Sequence, residues 1–128
     1  PDAIVYHAVE AYALPQALRL ARKWGAIPYL VKQHPQLRRE HRYALGIFWR
    51  ATHFRLVLAV AGALLALAGR RPLALLAVPY LVLTATRRGT TRRDVLVGLV
   101  ELPGQAVVDA AEVVALARGS AEHRTLVL

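Results

Sequence analysis

The residues that could do chemistry in this chain are five histidines and eight acidic side chains, and their spacing matches no catalytic set. The sequence has no Asp-x-Asp pair, no glycine-rich phosphate loop, no Ser-x-Gly nucleophile turn and no His-Glu-x-x-His helix. No two histidines stand four residues apart, and the chain has no cysteine, so the pattern predicts no metal site within it. We therefore expect no catalytic activity from this chain alone.

His7 is the one histidine whose position suggests a role. It follows a β-prone run at residues 3–6, and loop positions at strand ends often carry site residues. An unspecialised, partly exposed loop histidine would give the same pattern, and residue types alone favour that simpler interpretation.

The N-terminal third is predicted to contain one short strand followed by basic helices. The run at 3–6 would form the strand, whose pairing partners must lie outside this sequence. From Pro15 onward, apolar residues recur at helical spacing with arginine and lysine between them, which indicates a basic amphipathic helix. His34-Pro35 should end that helix, and a second should begin near Gln36.

Charged and apolar residues are separated along the middle of the chain. The hydrophobic fraction is 56% and the mean hydropathy is +0.36, although 20% of the residues are charged. Two uncharged runs, 56–69 and 72–86, are joined at Arg70-Arg71 and flanked by further arginines. Such blocks are typical of membrane segments, so residues 48–93 are predicted to form a two-helix membrane hairpin with basic flanks.

The length of these runs leaves three interpretations of the hairpin open. The 14 and 15 residues of the two runs correspond to roughly 21 to 23 Å of helix, against a hydrocarbon core of roughly 30 Å. Extending the first helix back to Phe48 would give it 22 residues. The alternatives are a pair of short transmembrane helices, which the pattern favours, a re-entrant hairpin, and a buried soluble hairpin. In both membrane forms, the positive-inside bias places the two chain ends in the cytoplasm.

A net charge of +9 implies a polyanionic partner. The arginines flank apolar runs and do not line one polar surface with stacking aromatics, which favours anionic membrane lipids over nucleic acid. The predicted membrane-interface residues are Trp24, Arg38, Arg39, Arg42, Phe48, Trp49, Arg50, Arg55, Arg87, Arg88, Arg92 and Arg93.

Residues 94–128 are predicted to form two amphipathic helices. Asp94 would cap the first, and Pro103-Gly104 would break it. The second, roughly 105–118, would end at Gly119. Its apolar stripe comprises Val107, Ala110, Val114 and Ala117, with Asp109 and Glu112 outside it. The whole chain is thus predicted to be mainly α, with a short N-terminal strand.

The order of several short motifs resembles the C-terminal region of bacterial family 2 glycosyltransferases that carry a membrane-associated tail. The similarity spans essentially the whole chain, and the order and spacing of the motifs make it fairly specific. The motifs are Pro1-Asp2-Ala3-Ile4-Val5-Tyr6-His7-Ala8-Val9-Glu10, Lys32-Gln33-His34-Pro35-Gln36-Leu37-Arg38, Phe48-Trp49-Arg50, Val78-Pro79-Tyr80-Leu81, Asp109-Ala110-Ala111-Glu112-Val113, Gly119-Ser120 and Arg124-Thr125-Leu126-Val127-Leu128.

This resemblance implies a GT-A catalytic domain upstream, which transfers a sugar from a nucleotide-sugar donor to an acceptor hydroxyl. That domain would hold a divalent metal, Mg²⁺ or Mn²⁺, on an Asp-x-Asp motif, and His7 would lie near the donor diphosphate or the metal. Residues 1–47 would then end the catalytic domain, 48–93 would anchor it at the cell membrane, and 94–128 would follow as helices. The rival hypothesis is a small membrane adaptor or assembly protein with no catalytic activity.

Overall fold

The computed structural model describes residues 13–40 and 46–128, and all regular elements within these ranges are helical. The prediction of a mainly α chain is therefore confirmed. The strand predicted at 3–6 lies outside the described residues, and so does His7.

Six α-helices and two 3-10 segments make up the described part of the chain. The α-helices are α1 (Leu14–Ala21), α2 (Ile27–Gln33), α3 (Leu37–Glu40), α4 (Ala51–Leu67), α5 (Val78–Ala85) and α6 (Arg92–His123). A first 3-10 segment, Arg22–Ala26, joins α1 to α2, and a second, Arg71–Ala77, leads into α5. The long helix α6 packs against α1, the first 3-10 segment, α2, α4 and α5, so it connects the N-terminal helices with the hairpin.

Proline sets the limits of the N-terminal helices. Pro15 and Pro28 stand in the first turns of α1 and α2, where a missing N–H removes no helical hydrogen bond. The predicted stop is confirmed, because α2 ends at Gln33 with His34 as its cap. The next helix, α3, begins at Leu37, one residue after the predicted position.

The second uncharged run folds back along α4, and we call these two runs the hairpin. The predicted pair of membrane helices is not supported, because the second run is divided into a 3-10 segment and the eight-residue helix α5. Gly62 allows the two arms to approach closely, because a Cβ there would overlap the carbonyl oxygen of Leu73. Across residues 13–40 and 46–128, no helix combines the length and the apolar character needed to cross a membrane. The extension of the first helix back to Phe48 is wrong, because Arg50 has extended backbone angles and α4 begins only at Ala51.

The prediction of two C-terminal helices is also wrong, because α6 runs unbroken for 32 residues. Pro103 lies inside it and does not end it. Packing stabilises α6 on both sides of Pro103, since Gly98 contacts Ala85 of α5 and Gly119 contacts Gly25 of the first 3-10 segment. These tertiary contacts offset the hydrogen bond that an internal proline removes.

Gly119 does not stop the helix either. It lies within α6, where its missing side chain leaves room for the Gly25 carbonyl. The helix ends one turn later at His123, where Arg124 takes a left-handed conformation with φ of 52°.

Thr91 is the N-cap of α6, and the prediction that Asp94 has this role is wrong. The Asp94 backbone N–H donates to Thr91 Oγ1 at 3.2 Å, which satisfies one of the free amides of the first turn. We expect Thr91→Ala to lower the free energy of unfolding by about 1 kcal/mol. Chemical unfolding followed by circular dichroism in a mild detergent measures the change. Thr90→Ala, one residue outside the cap, is the matched control, and an equal loss in both variants would contradict the capping role.

A small apolar core joins the N-terminal helices to the end of the chain. Val31, Leu116 and Val127 form its buried centre, and Trp24, Ile27 and Trp49 pack against it. Hydrogen bonds hold the C-terminal segment in this position. Leu128 N donates to Ile47 O at 2.8 Å, Trp49 N donates to Leu128 O at 2.5 Å, and the Ser120 hydroxyl bonds both the N–H and the carbonyl of Val127.

Candidate functional site

Several of the side chains enclosed between the hairpin and α6 are polar or acidic. Asp109 is 2% exposed and Glu112 7% exposed, and both lie outside the predicted apolar stripe of their helix. That stripe faces outward, since Val107 and Val114 are each 49% exposed. The two acids face inward because partners on other elements satisfy them.

Glu112 is the centre of a cluster drawn from three elements. Its Oε2 atom lies 3.0 Å from both Arg50 Nη1 and His53 Nε2, and His53 is fully buried. The Trp24 ring meets the His53 imidazole edge-on, with centroids 6.1 Å apart, and the Arg50 guanidinium lies 4.3 Å from the Trp24 ring centre. Ionic, hydrogen-bonding and cation–π contacts therefore fix the start of α4 against α6 and the first 3-10 segment.

Asp109 accepts hydrogen bonds on both carboxylate oxygens. The Tyr80 hydroxyl donates to Oδ2 at 2.9 Å, and Gln105 Nε2 donates to Oδ1 at 2.6 Å. Gln105 accepts in turn from Arg87 through Oε1, and the Thr84 hydroxyl donates to the Tyr80 carbonyl at 2.9 Å. The acid is thus held by donors from α5 and α6.

A cleft of about 610 Å³ opens beside these two clusters, at the base of the hairpin where α4 begins and α5 ends. We call it the basal cleft, and it is lined by Arg50, Ala51, Thr52, Leu83, Thr84, Thr86, Arg87, Gln105 and Asp109. Its size suits a small ligand or a headgroup. The lining combines two arginines with hydroxyl and amide groups, so the cleft can bind polar and charged atoms.

Several predicted membrane-interface residues make contacts within the protein. Phe48 is buried against Phe54, with ring centroids 5.2 Å apart, and Trp49 packs on the apolar core. Arg38 Nη2 donates to the Leu126 carbonyl at 2.7 Å. Trp24 and Arg50 belong to the Glu112 cluster.

The remaining predicted interface arginines lie mostly at the surface. Arg88 forms a two-point ion pair with Glu101, with N···O distances of 2.6 and 2.8 Å, and the hydrogen bond from its guanidinium lowers the pKa of that carboxyl. Arg92 and Arg93 are exposed at the start of α6, and Arg55 is half-buried. Arg42 and the side chain of Arg39 lie outside the described part of the chain.

The outward face of α6 carries an apolar stripe along almost the whole helix. Its members recur at alternating steps of four and three residues, and each of them is exposed. We call this the outer stripe, and it comprises Leu96, Val100, Pro103, Val107, Ala110, Val114, Ala117 and Ala121. Further large apolar side chains are exposed on the hairpin, including Leu64, Leu67, Leu75, Val78 and Val82.

Sequence reasoning missed the buried partners of the two acids. The available signal was the presence of polar side chains in or beside otherwise apolar runs, as with Tyr80 and Thr84 in the second run and His53 just before the first. Within the described ranges, no group of three or more His, Asp or Glu residues could hold a metal ion. No family model, curated protein or solved structure matches the chain.

Proposed function

We propose that this chain is the membrane-associated C-terminal part of a family 2 glycosyltransferase. The intact enzyme transfers a sugar from a nucleotide-sugar donor to an acceptor hydroxyl, and the chemistry belongs to an upstream GT-A domain with its Mg²⁺ or Mn²⁺. This C-terminal part holds that domain at the cytoplasmic face of the cell membrane by contacting anionic lipids. The order of motifs that resembles this family supports the enzyme class.

The observation that carries the anchoring role is the inverted polarity of the hairpin and α6. Acidic and hydroxylic side chains lie inside together with apolar ones such as Ala85, whereas Leu67, Leu75 and Val100 are 85%, 70% and 81% exposed. Water penalises exposed apolar area by about 25 cal/mol per Å², and a hydrocarbon phase removes that penalty. Intramembrane polar side chains, by contrast, face the protein interior and pair there.

The dimensions of the hairpin fit the re-entrant form of the membrane interpretation. The 17 residues of α4 reach about 25 Å, which is less than the roughly 30 Å of the hydrocarbon core. Arginines at the base of the hairpin would then lie at headgroup depth, where anionic lipids attract them. Both ends of the hairpin return to the same face in this proposal.

The membrane role is tested on the full-length enzyme by deleting residues 48–93. We expect the deletion to abolish pelleting with membranes, because it removes the whole hairpin. If the shortened enzyme still fractionates with membranes, the anchoring role is wrong.

A milder variant separates lipid contact from folding. Asparagine at Leu67, Leu75 and Val100 changes only strongly exposed positions, so we expect an unchanged circular dichroism spectrum. The partition coefficient of the chain into vesicles of phosphatidylcholine and phosphatidylglycerol, measured by flotation, should fall by about a thousandfold or more, since each apolar side chain contributes about 1.5–3 kcal/mol when fully buried and 1.4 kcal/mol is tenfold. Asparagine at the exposed, uncharged polar positions Gln33, Gln36 and Thr90 is the matched control.

A membrane adaptor or assembly protein without activity is the second candidate function. The 3.5-residue average spacing of the outer stripe favours it, because helices that pair with other helices carry such a repeat. The reading frame upstream discriminates the two hypotheses. An Asp-x-Asp strand and a Glu-Asp pair shortly before Pro1 support the transferase, and a start codon directly before Pro1 supports the adaptor.

A further inference from the structure

We propose that a groove between α1 and α6 binds one anionic phospholipid, with its headgroup on three arginines and its acyl part on the apolar surface beside them. The choice of a lipid rests on the proposed membrane anchoring. The inference adds to it a single site that selects the charge of the headgroup. We call this site the α1–α6 groove, and its volume is about 480 Å³.

Three guanidinium groups line this groove from its two walls. Arg19 lies in the last turn of α1 and Arg22 is the C-cap of that helix, whereas Arg118 belongs to α6. All three are exposed, and none of them forms an ion pair or a hydrogen bond with another described residue. The described residues that line the groove include no acid. The groove therefore concentrates positive charge, which attracts an anion.

The acids of α6 beside the groove leave this charge in excess. Glu112 is enclosed, and its carboxylate is bound to Arg50 and His53. Glu122 stands one turn beyond Arg118, but the two side chains form no ion pair. One exposed carboxylate at that distance offsets at most one of the three guanidinium charges.

The rest of the lining is apolar, which indicates a ligand with a hydrocarbon part. It consists of Pro15, Leu18, Ala111, Val114 and Ala115. Val114 also belongs to the outer stripe, so the apolar surface continues from the groove along the exposed face of α6. A small inorganic anion would leave that surface in water, whereas an acyl chain would cover it. Cations combined with an apolar surface match the two parts of a phospholipid.

Backbone contacts hold the two walls of the groove together. A Cβ on Gly119 would overlap the carbonyl oxygen of Gly25, and a Cβ on Gly25 would lie 3.3 Å from the Ala115 carbonyl oxygen. The first 3-10 segment is therefore packed directly on α6 three residues after Arg22. Walls that are fixed in this way lower the cost of ordering the site when a ligand binds.

The groove lies beside the base of the hairpin. Trp24, two residues after Arg22, contacts the His53 imidazole, and the Arg50 guanidinium lies over its ring. Arg50 and His53 mark the start of α4, where the hairpin begins. The anchoring proposal puts the headgroup layer at this level, so an anionic headgroup would be within reach of the groove.

The test uses the full chain in a neutral detergent, with dihexanoyl phosphatidylglycerol as the probe and isothermal titration calorimetry as the measurement. We expect saturable binding of one lipid per chain, and much weaker binding of dihexanoyl phosphatidylcholine, whose headgroup has no net charge. Glutamine at Arg19, Arg22 and Arg118 should lower the affinity about a hundredfold, because each basic side chain near an anionic headgroup contributes about fivefold. Absence of saturable phosphatidylglycerol binding to the wild-type chain would overturn the inference.

The matched control is glutamine at Arg71, Arg92 and Arg93, which are exposed and lie outside the lining of the groove. Both triple variants lose three positive charges, and both should keep the circular dichroism spectrum of the wild-type chain. Arg92 and Arg93 stand roughly 35 Å along α6 from Arg118, several Debye lengths away, so the control should bind the lipid like the wild type. An equal loss of affinity in the two triple variants would reveal only the overall positive charge and would refute the site.

Two further probes distinguish a lipid from other anions. Glycerophosphoglycerol has the same headgroup without acyl chains, so we expect it to bind at least about tenfold more weakly than the lipid. A hexaglutamate peptide has negative charge without hydrocarbon, and it should not displace the lipid. If either probe binds as tightly as phosphatidylglycerol, the groove is a general anion site and the lipid assignment is wrong.

Vesicle flotation separates the failure of this inference from the failure of the anchoring proposal. The wild-type chain and both triple variants are compared on phosphatidylcholine vesicles with and without phosphatidylglycerol. A chain that floats equally well in all three forms keeps the anchor and refutes the site. A chain that binds dihexanoyl phosphatidylglycerol through the groove arginines but ignores every vesicle keeps the site and refutes the anchor.

Discussion

Replacing Glu112 by alanine is expected to lower the free energy of unfolding by about 3 kcal/mol. The change leaves the fully buried His53 imidazole without the partner of its Nε2 atom and removes the ionic partner of Arg50. Breaking a buried ionic contact costs about 3–5 kcal/mol, and the partial exposure of Arg50 places the expected loss at the lower end of that range. Chemical unfolding in a mild detergent, followed by circular dichroism, measures it.

The matched control is Glu122→Ala, which removes the same side chain from an exposed position of the same helix. We expect its free energy of unfolding to change by no more than about 0.5 kcal/mol, as for most surface substitutions. If both variants lose the same stability, the Glu112 cluster does not hold α4 against α6. Glu112→Gln keeps the shape and one acceptor, so its loss of stability should lie between those of Glu112→Ala and Glu122→Ala.

Gly119→Ala is expected to destabilise the chain by about 3 kcal/mol, although alanine is the better helix former. A Cβ at this position would overlap the carbonyl oxygen of Gly25, and a backbone atom cannot move aside like the end of a flexible side chain. Overpacking of this kind typically costs about 1–3 kcal/mol and occasionally more. Separation of α6 from the first 3-10 segment would relieve the clash but expose the core around Leu116. The thermal unfolding midpoint measures the loss.

Gly104→Ala is the control for this prediction, because a Cβ there meets no atom within 4 Å. Both glycines lie inside α6, so the intrinsic gain from alanine is the same, about 1 kcal/mol. We therefore expect opposite signs, with Gly104→Ala raising the midpoint and Gly119→Ala lowering it. A rise in both variants would contradict the close contact between Gly119 and Gly25.

Local chemistry alone was enough to predict where α2 ends and where the chain turns between the two uncharged runs, but not the form of the second run. His34-Pro35 ends α2 because the residue before a proline is driven out of the helical region, and this effect needs no distant partner. The uncharged runs and the arginines between them likewise define where the chain reverses. The expected position of His7 near a donor diphosphate stays a prediction, because His7 lies outside the described residues.

The continuity of α6 could not be predicted from local signals. Pro103-Gly104 and Gly119 are strong breakers in isolation, but Ala85 and Gly25 contact the helix on either side of the expected break. Tertiary contacts of this kind outweigh a local preference of about 1–3 kcal/mol. The role of Thr91 as N-cap could not be predicted from local signals either, because it depends on where α6 begins.

The amino-acid sequence by itself determined that the chain is helical, basic at the ends of its apolar runs, and folded back on itself between those runs. Only the tertiary structure decided which face of each helix is enclosed. Amphipathic patterns identify the two faces but not the inner one, because that choice depends on partners far away in sequence. Glu112 contacts His53 across a separation of 59 positions in the sequence, and Asp109 contacts Tyr80 across a separation of 29. Once satisfied by those partners, the acids are enclosed and the outer stripe remains exposed.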